Sequence, residues 1–152
     1  MNSAMLSVRE YRALAAFRYE LRRFLRFSED AARAVGLEPR QHQLLLAVRG
    51  MPAGRPATVG ALADRLQLRH HSTVELVDRS AARGLVRRAT VASDRRQVVV
   101  VPTAAGARLL RRLSVVHRSE LRTVAGRLVA SLAALRGSAS APRGKRSLAS
   151  TR

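Results

Sequence analysis

The chain has no cysteine and no tryptophan, and only two tyrosines and three phenylalanines in 152 residues. Without thiols there is no redox sensing by cysteine, no disulfide and no thiolate metal site. That is also a composition a reducing cytoplasm permits. With aromatics at 3%, a core has to be filled by Leu, Val and Ala, and nothing hints at a stacking pocket. No apolar run approaches the roughly 18 residues that span a bilayer. The start, MNSAMLSVREYRALAAFR, mixes charged and apolar residues too quickly for a signal peptide. The expectation is a soluble, cytoplasmic protein, with no role assigned to residues 1–4.

Negative charge is also scarce. Ten Asp and Glu face 29 basic residues, and all but Lys145 of the basic ones are Arg. The net charge is +19, and residues 1–136 alone carry +15. Arginine bias in genomic base composition accounts for part of this, but not for the shortage of carboxylates. Such a field repels copies of itself unless it meets a polyanion, and nucleic acid is the leading candidate. Chemistry-bearing constellations are missing too. There is no Gly-rich phosphate loop, no Ser-His-Asp set and no metal-ligand spacing, so an enzyme is not expected, and neither a cofactor nor a metal is.

What is present is helical periodicity around one central stretch, residues 62–103. Residues 8–34 read as one long helix, with Tyr11, Leu14, Ala15, Leu21, Phe24 and Leu25 at three- and four-residue steps. At about 27 residues it would be about 40 Å long, more apolar stripe than one small domain covers. Gly36 is a stop, and Pro39 starts a second helix over 39–49 that buries Leu44, Leu45 and Val48. A loop with two Gly and two Pro follows over 50–56. Thr58 then caps a third helix over 59–68, with Leu62, Ala63 and Leu66 inward.

A fourth helix ends at Arg83-Gly84, with Thr73, Leu76, Val77 and Ala81 on one face. Ser72-Thr-Val-Glu75 fits a capping box that would start it at Thr73. Leu85–Arg88 and Gln97–Val101 read as strands, joined by a polar loop over 89–96, with their valines packed on the helices. Pro102-Thr103 ends the second strand and caps a long helix over 104–125. Gly126 is expected to break or bend it before a last short helix over 127–135. From Gly137 the Ser, Ala, Gly and basic residues read as a disordered tail. This arrangement is a helix-turn-helix with a β-wing: mainly α with a small β-wing.

The run STVELVDRSAARGLVRRATVASDRRQVVVVPTAAG resembles the signature of the MarR family of winged-helix transcriptional regulators. The matches are LVDR, RGLV, SDRR, the apolar strand and the closing Thr103-Ala-Ala-Gly106, with TVGALADRL resembling the first motif helix. The resemblance spans about residues 8 to 136. It implies an obligate homodimer of triangular shape, a pseudo-palindromic operator on double-stranded DNA, and most often repression relieved by a small-molecule ligand. It divides the chain into an N-terminal dimerisation helix (1–36), the winged helix-turn-helix (37–103), C-terminal dimerisation helices (104–136) and the basic tail (137–152). It also starts the fourth helix near His70, a turn before the capping box would.

On that reading Arg69, His70, His71, Val74, Glu75 and Arg79 face DNA from the recognition helix, while Thr73, Leu76 and Val77 face the core. Arg95 and Arg96 reach the minor groove or its phosphates from the wing. The resemblance gives Asp94 the task of supporting the wing arginine. It also places His42 and His117 at the border of an effector cleft, where an ordinary structural role competes with ligand binding or pH sensing. Three residues depart from the family pattern. Gln67 stands where glycine is usual in the turn, Ser80 replaces an apolar residue, and Glu75 replaces a polar or basic one. The rival reading is a non-specific architectural or nucleoid DNA-binding protein using its charge and tail.

Overall fold

The computed structural model describes residues 6–91 and 94–138, with the side chains of 94, 95, 137 and 138 left out of the description. The elements run α1 (Val8–Ala34), α2 (Pro39–Arg49), α3 (Val59–Leu66), α4 (His70–Ala82), β1 (Val86–Val91), β2 (Asp94–Pro102) and α5 (Ala104–Ser138). The mainly helical class with one small antiparallel sheet is therefore as expected. The described residues divide into two compact units, 25–120 and 6–24 with 121–138.

The first unit holds the core. Leu37, Leu44, Leu45, Leu62, Leu76, Val77, Leu85, Val86, Val100, Leu110 and Leu113 form one buried cluster. Local chemistry explains how the chain turns back on it so often. Gly36, at φ +78, ends α1, and Leu37 N–H returns to the Ala32 carbonyl at 3.0 Å. This left-handed step is open to glycine at little cost and closes a C-terminal cap. Glu38 and Gln41 form a reciprocal capping box around Pro39 at the start of α2. Thr58 caps α3 by accepting from Ala61 N–H at 3.2 Å.

The wing is longer than the sequence implies. β1 and β2 pair antiparallel from Val86↔Pro102 through Thr90↔Val98, with an irregularity before Val91↔Asp94. Most of the expected loop 89–96 is thus strand, because Thr90 and Val91 are good strand formers that find partners across the ladder. Val86 and Val100 are buried, and Val100 N–H donates to Ala57 O at 2.9 Å, which ties the ribbon to the segment before α3. Val98 faces out.

Thr103-Ala-Ala-Gly106 joins the wing to α5. The Thr103 hydroxyl donates to Gly84 O at 2.6 Å and accepts from Gly106 N–H at 3.1 Å. A Cβ on Gly106 would lie 2.0 Å from Leu85 O, so only glycine permits this approach. The T-x-x-G spacing is the local record of that contact.

One boundary is a correction. Gly126 does not interrupt the last helix: α5 is a single helix of 35 residues. A mid-helix glycine costs about 1 kcal/mol relative to alanine, and the strong helix formers around it outweigh that. Gly137 and Ser138 also continue α5; the rest of the expected tail and residues 1–4 lie outside the described residues.

The second unit pairs the first half of α1 with the last part of α5. Its buried residues are few: Ala13, Glu20, Val124 and Ser131 among those described. Glu20 Oε1 pairs with Arg127 Nε at 3.1 Å. Tyr11, Leu14, Tyr19, Leu21, Leu121, Val129 and Leu132 are all exposed. The apolar stripe read from α1 is therefore real in spacing, yet this chain does not cover it.

Candidate nucleic-acid interface

The helix-turn-helix is set by its turn. Gln67 is the C-cap of α3 and adopts φ 53, ψ 44, the left-handed conformation. Leu68 N–H then reaches back to Ala63 O at 3.0 Å, and the Gln67 amide donates to Asp64 O at 2.7 Å. The turn thus needs the backbone that glycine usually supplies, and a glutamine supplies it at a cost of about 1 kcal/mol.

The chain enters α4 through Arg69, extended at φ −67, ψ 150, with no side-chain cap. The Thr73 hydroxyl donates to Arg69 O at 3.1 Å and is fully buried. The helix therefore begins at His70, and the capping box at Ser72 does not form. Ser72 already lies in the first helical turn, so its backbone is not the extended one a cap requires.

One face of α4 is fixed in the core by Thr73, Leu76, Val77 and Ser80. Ser80, which stands where the family pattern has an apolar residue, is buried with its hydroxyl satisfied, donating to Leu76 O at 2.7 Å. The opposite face presents Arg69, His70, His71, Glu75, Asp78 and Arg79, all exposed, with Val74 half-buried. Glu75 and Arg79 sit 4.0 Å apart with both side chains more than half exposed. A pair of that kind contributes little and yields readily to another anion.

Sequence reading missed two contacts here. Arg88 on β1 donates to Asp78 on α4 at 2.5 Å, tying the wing to that helix. The Arg83 guanidinium reaches Gln41 Oε1 and Gly36 O. Neither follows a local pattern, since the partners lie 10 residues apart in the first case and 42 and 47 in the second; the aspartate of LVDR was the only trace of either.

At the wing, Arg96 is exposed on β2. Asp94 and Arg95 belong to the backbone of β2, but the expected support of the wing arginine by Asp94 falls on side chains outside the described residues.

His42 and His117 come together, with ring centroids 4.6 Å apart and a tilt of 36°. Both are buried. His117 Nδ1 is 2.7 Å from Leu113 O, a pure acceptor, so Nδ1 carries a proton. In the neutral ring Nε2 then accepts from the Ser28 hydroxyl, also at 2.7 Å. Burial, and next the charge of His117, lower the His42 pKa from 6.5 to about 4. Elsewhere in this unit, Arg49 and Arg111 line a cavity of about 700 Å3 whose walls include Val101, Pro102, Ala107 and Leu110.

Among the described residues, no three His, Asp or Glu side chains gather as a metal site, and no helix is long and apolar enough to cross a membrane.

The MarR family model matches residues 35–97, from the α1–α2 turn into β2. No curated protein matches the sequence. The fold is shared with solved structures of low identity. A MarR family protein from Bacillus stearothermophilus aligns with TM-score 0.69 and 21% identity, over 90% of this chain and 96% of that one. A mutant MarR from E. coli, complexed with operator DNA, aligns at 0.61 and 19%, over 82% and 90%. CouR from Rhodococcus jostii RHA1, bound to p-coumaroyl-CoA, aligns at 0.53 and 24%, over 78% and 73%.

Proposed function

We propose that this chain, whose residues 35–97 are a MarR-family winged helix-turn-helix and whose fold is that of MarR family transcriptional regulators, is a homodimeric repressor that binds a pseudo-palindromic DNA site. The observation that carries the proposal is the two-faced recognition helix. Its inner face is fixed in the core, while Arg69, His70, His71, Glu75 and Arg79 stand exposed on the other face. A helix held that way can enter the major groove amino-terminus first. Arg69 and Arg79 bind phosphate or guanine, His70 and His71 donate to phosphate or base acceptors, Val74 makes apolar contact, and Glu75 accepts from cytosine. Arg95 and Arg96 reach the neighbouring minor groove or its phosphates, with Asp94 supporting the wing arginine.

Dimerisation draws on the exposed apolar side chains of α1 and α5, which a second copy would cover. Two-fold symmetry then sets half-sites about one helical turn apart. A small-molecule ligand that favours a misfitting spacing of the two reading heads would release DNA. The E. coli relative holds operator DNA and the Rhodococcus relative holds an acyl-CoA; both lend support by fold alone. The cavity between Arg49 and Arg111 supports an anionic ligand better than the His42–His117 pair does, because those rings are packed on each other.

The rival, a non-specific architectural protein, rests on the net charge of +19. Competition separates the two. Wild-type protein is used to select duplexes from a random pool, and the selected duplex is then challenged with excess random DNA at physiological salt. The regulator retains the selected duplex, whereas an architectural protein loses it in proportion to competitor.

A further inference from the structure

Arg83 lies outside the DNA-facing set, yet it makes two polar contacts across its unit, to residues 42 and 47 positions away in the sequence. It is the C-cap residue of α4, at φ −86, ψ 4. Its Nη1 donates to Gln41 Oε1 at 2.6 Å, and its Nη2 donates to Gly36 O at 2.5 Å. Gly36 is the left-handed residue that ends α1. Gln41 is fully buried in the first turn of α2, and its Oε1 also accepts from Glu38 N–H at 3.3 Å. One guanidinium fork therefore clamps the end of α4 to the turn between α1 and α2. Both terminal nitrogens are taken up by protein acceptors. A fork onto two fixed oxygens constrains direction as well as distance.

The geometry matters at the other end of the helix. Helix α4 has 13 residues, so it is about 20 Å long. A tilt of about 10° at its C-terminus displaces the first turn by about 3 Å. Hydrogen bonds to base edges fail over much smaller displacements, whereas attraction to phosphates barely changes. We infer that Arg83 is a positioning residue for sequence reading: it holds the tilt of α4 against the α1–α2 turn, so that the amino-terminal residues of α4 meet the bases. The inference rests on the DNA-binding reading above.

The test measures affinity for the selected duplex and for random duplex, each over a range of salt, in Arg83→Gln, Gln41→Leu, the double variant and Gln41→Glu. Arg83→Gln and Gln41→Leu are each expected to lose about tenfold of the preference for the selected duplex, with random-duplex affinity and salt slope unchanged. The double variant should lose no more than either single one, since both break the same fork. Gln41→Glu keeps an acceptor oxygen for Arg83, replaces the unpartnered Nε2 by a second oxygen and places a negative charge opposite the guanidinium. It should keep the preference, and Gln41→Leu set against it carries the test if Arg83→Gln does not fold.

A salt slope about one lower in Arg83→Gln would mean a direct phosphate contact and would overturn the inference. So would a lowered melting temperature with the preference intact, which is the mark of a merely structural clamp, or loss of preference in Gln41→Glu. If the wild type itself selects no duplex, the DNA-binding reading fails first and takes this inference with it.

Discussion

His42 shows what burial does to a titratable side chain. Its pKa lies near 4 in the folded chain and near 6.5 unfolded, so between those values the unfolded state binds the extra proton. Stability is full above about pH 6.5 and declines as pH falls towards 4. We expect the urea midpoint to drop between pH 7 and pH 4.5, and the drop to shrink in His42→Gln. Equal pH dependence in both proteins would contradict the assignment.

Gln67 gives a second test at this scale. Gln67→Gly relieves the left-handed strain at the price of one amide hydrogen bond, and should raise stability by up to about 1 kcal/mol in the same unfolding assay. Caps such as Thr58 and Thr103 were legible in the sequence, because a cap is written within four residues. Arg83 was not, because its acceptors lie 42 and 47 residues away.

Elements were legible where periodicity was long and punctuation was chemical. The bounds of α1 and α2 followed from Gly36 and Pro39. The start of α4 did not follow from Ser72, since a capping box is a local option that the Thr73–Arg69 bond and the Gln67 turn override. Two glycines on α5 separate the roles of that residue. At Gly126 an added Cβ meets nothing within 4 Å, so Gly126→Ala should raise the melting stability by about 1 kcal/mol. At Gly106 the Cβ would collide with the Leu85 carbonyl, so Gly106→Ala should be strongly destabilising in the same thermal melt. On the wing, Arg95→Ala with Arg96→Ala should weaken binding to the selected duplex and flatten its salt slope while oligomeric state is unchanged. An unchanged affinity would count against the wing assignment.

At the scale of the whole molecule, the charge pattern and the uncovered apolar stripe add support to what the two faces of α4 carry. The +15 of residues 1–136 makes a polyanion the natural partner, but charge alone does not distinguish reading from coating. The exposed Leu14, Leu21, Leu121 and Leu132 show an incomplete apolar surface, and the sequence signalled this as a helix too long for its own domain. The candidate DNA residues were legible as a set through motif and periodicity. Their geometry on α4 was not, because the turn at Gln67 and the ties at Asp78 and Arg83 are tertiary.

The most direct measurement is sedimentation velocity of the protein alone and on its selected duplex, at physiological salt. The account predicts two chains in dilute solution and two chains on one duplex. A monomer that loads one chain per duplex, or in numbers that grow with duplex length, would contradict it.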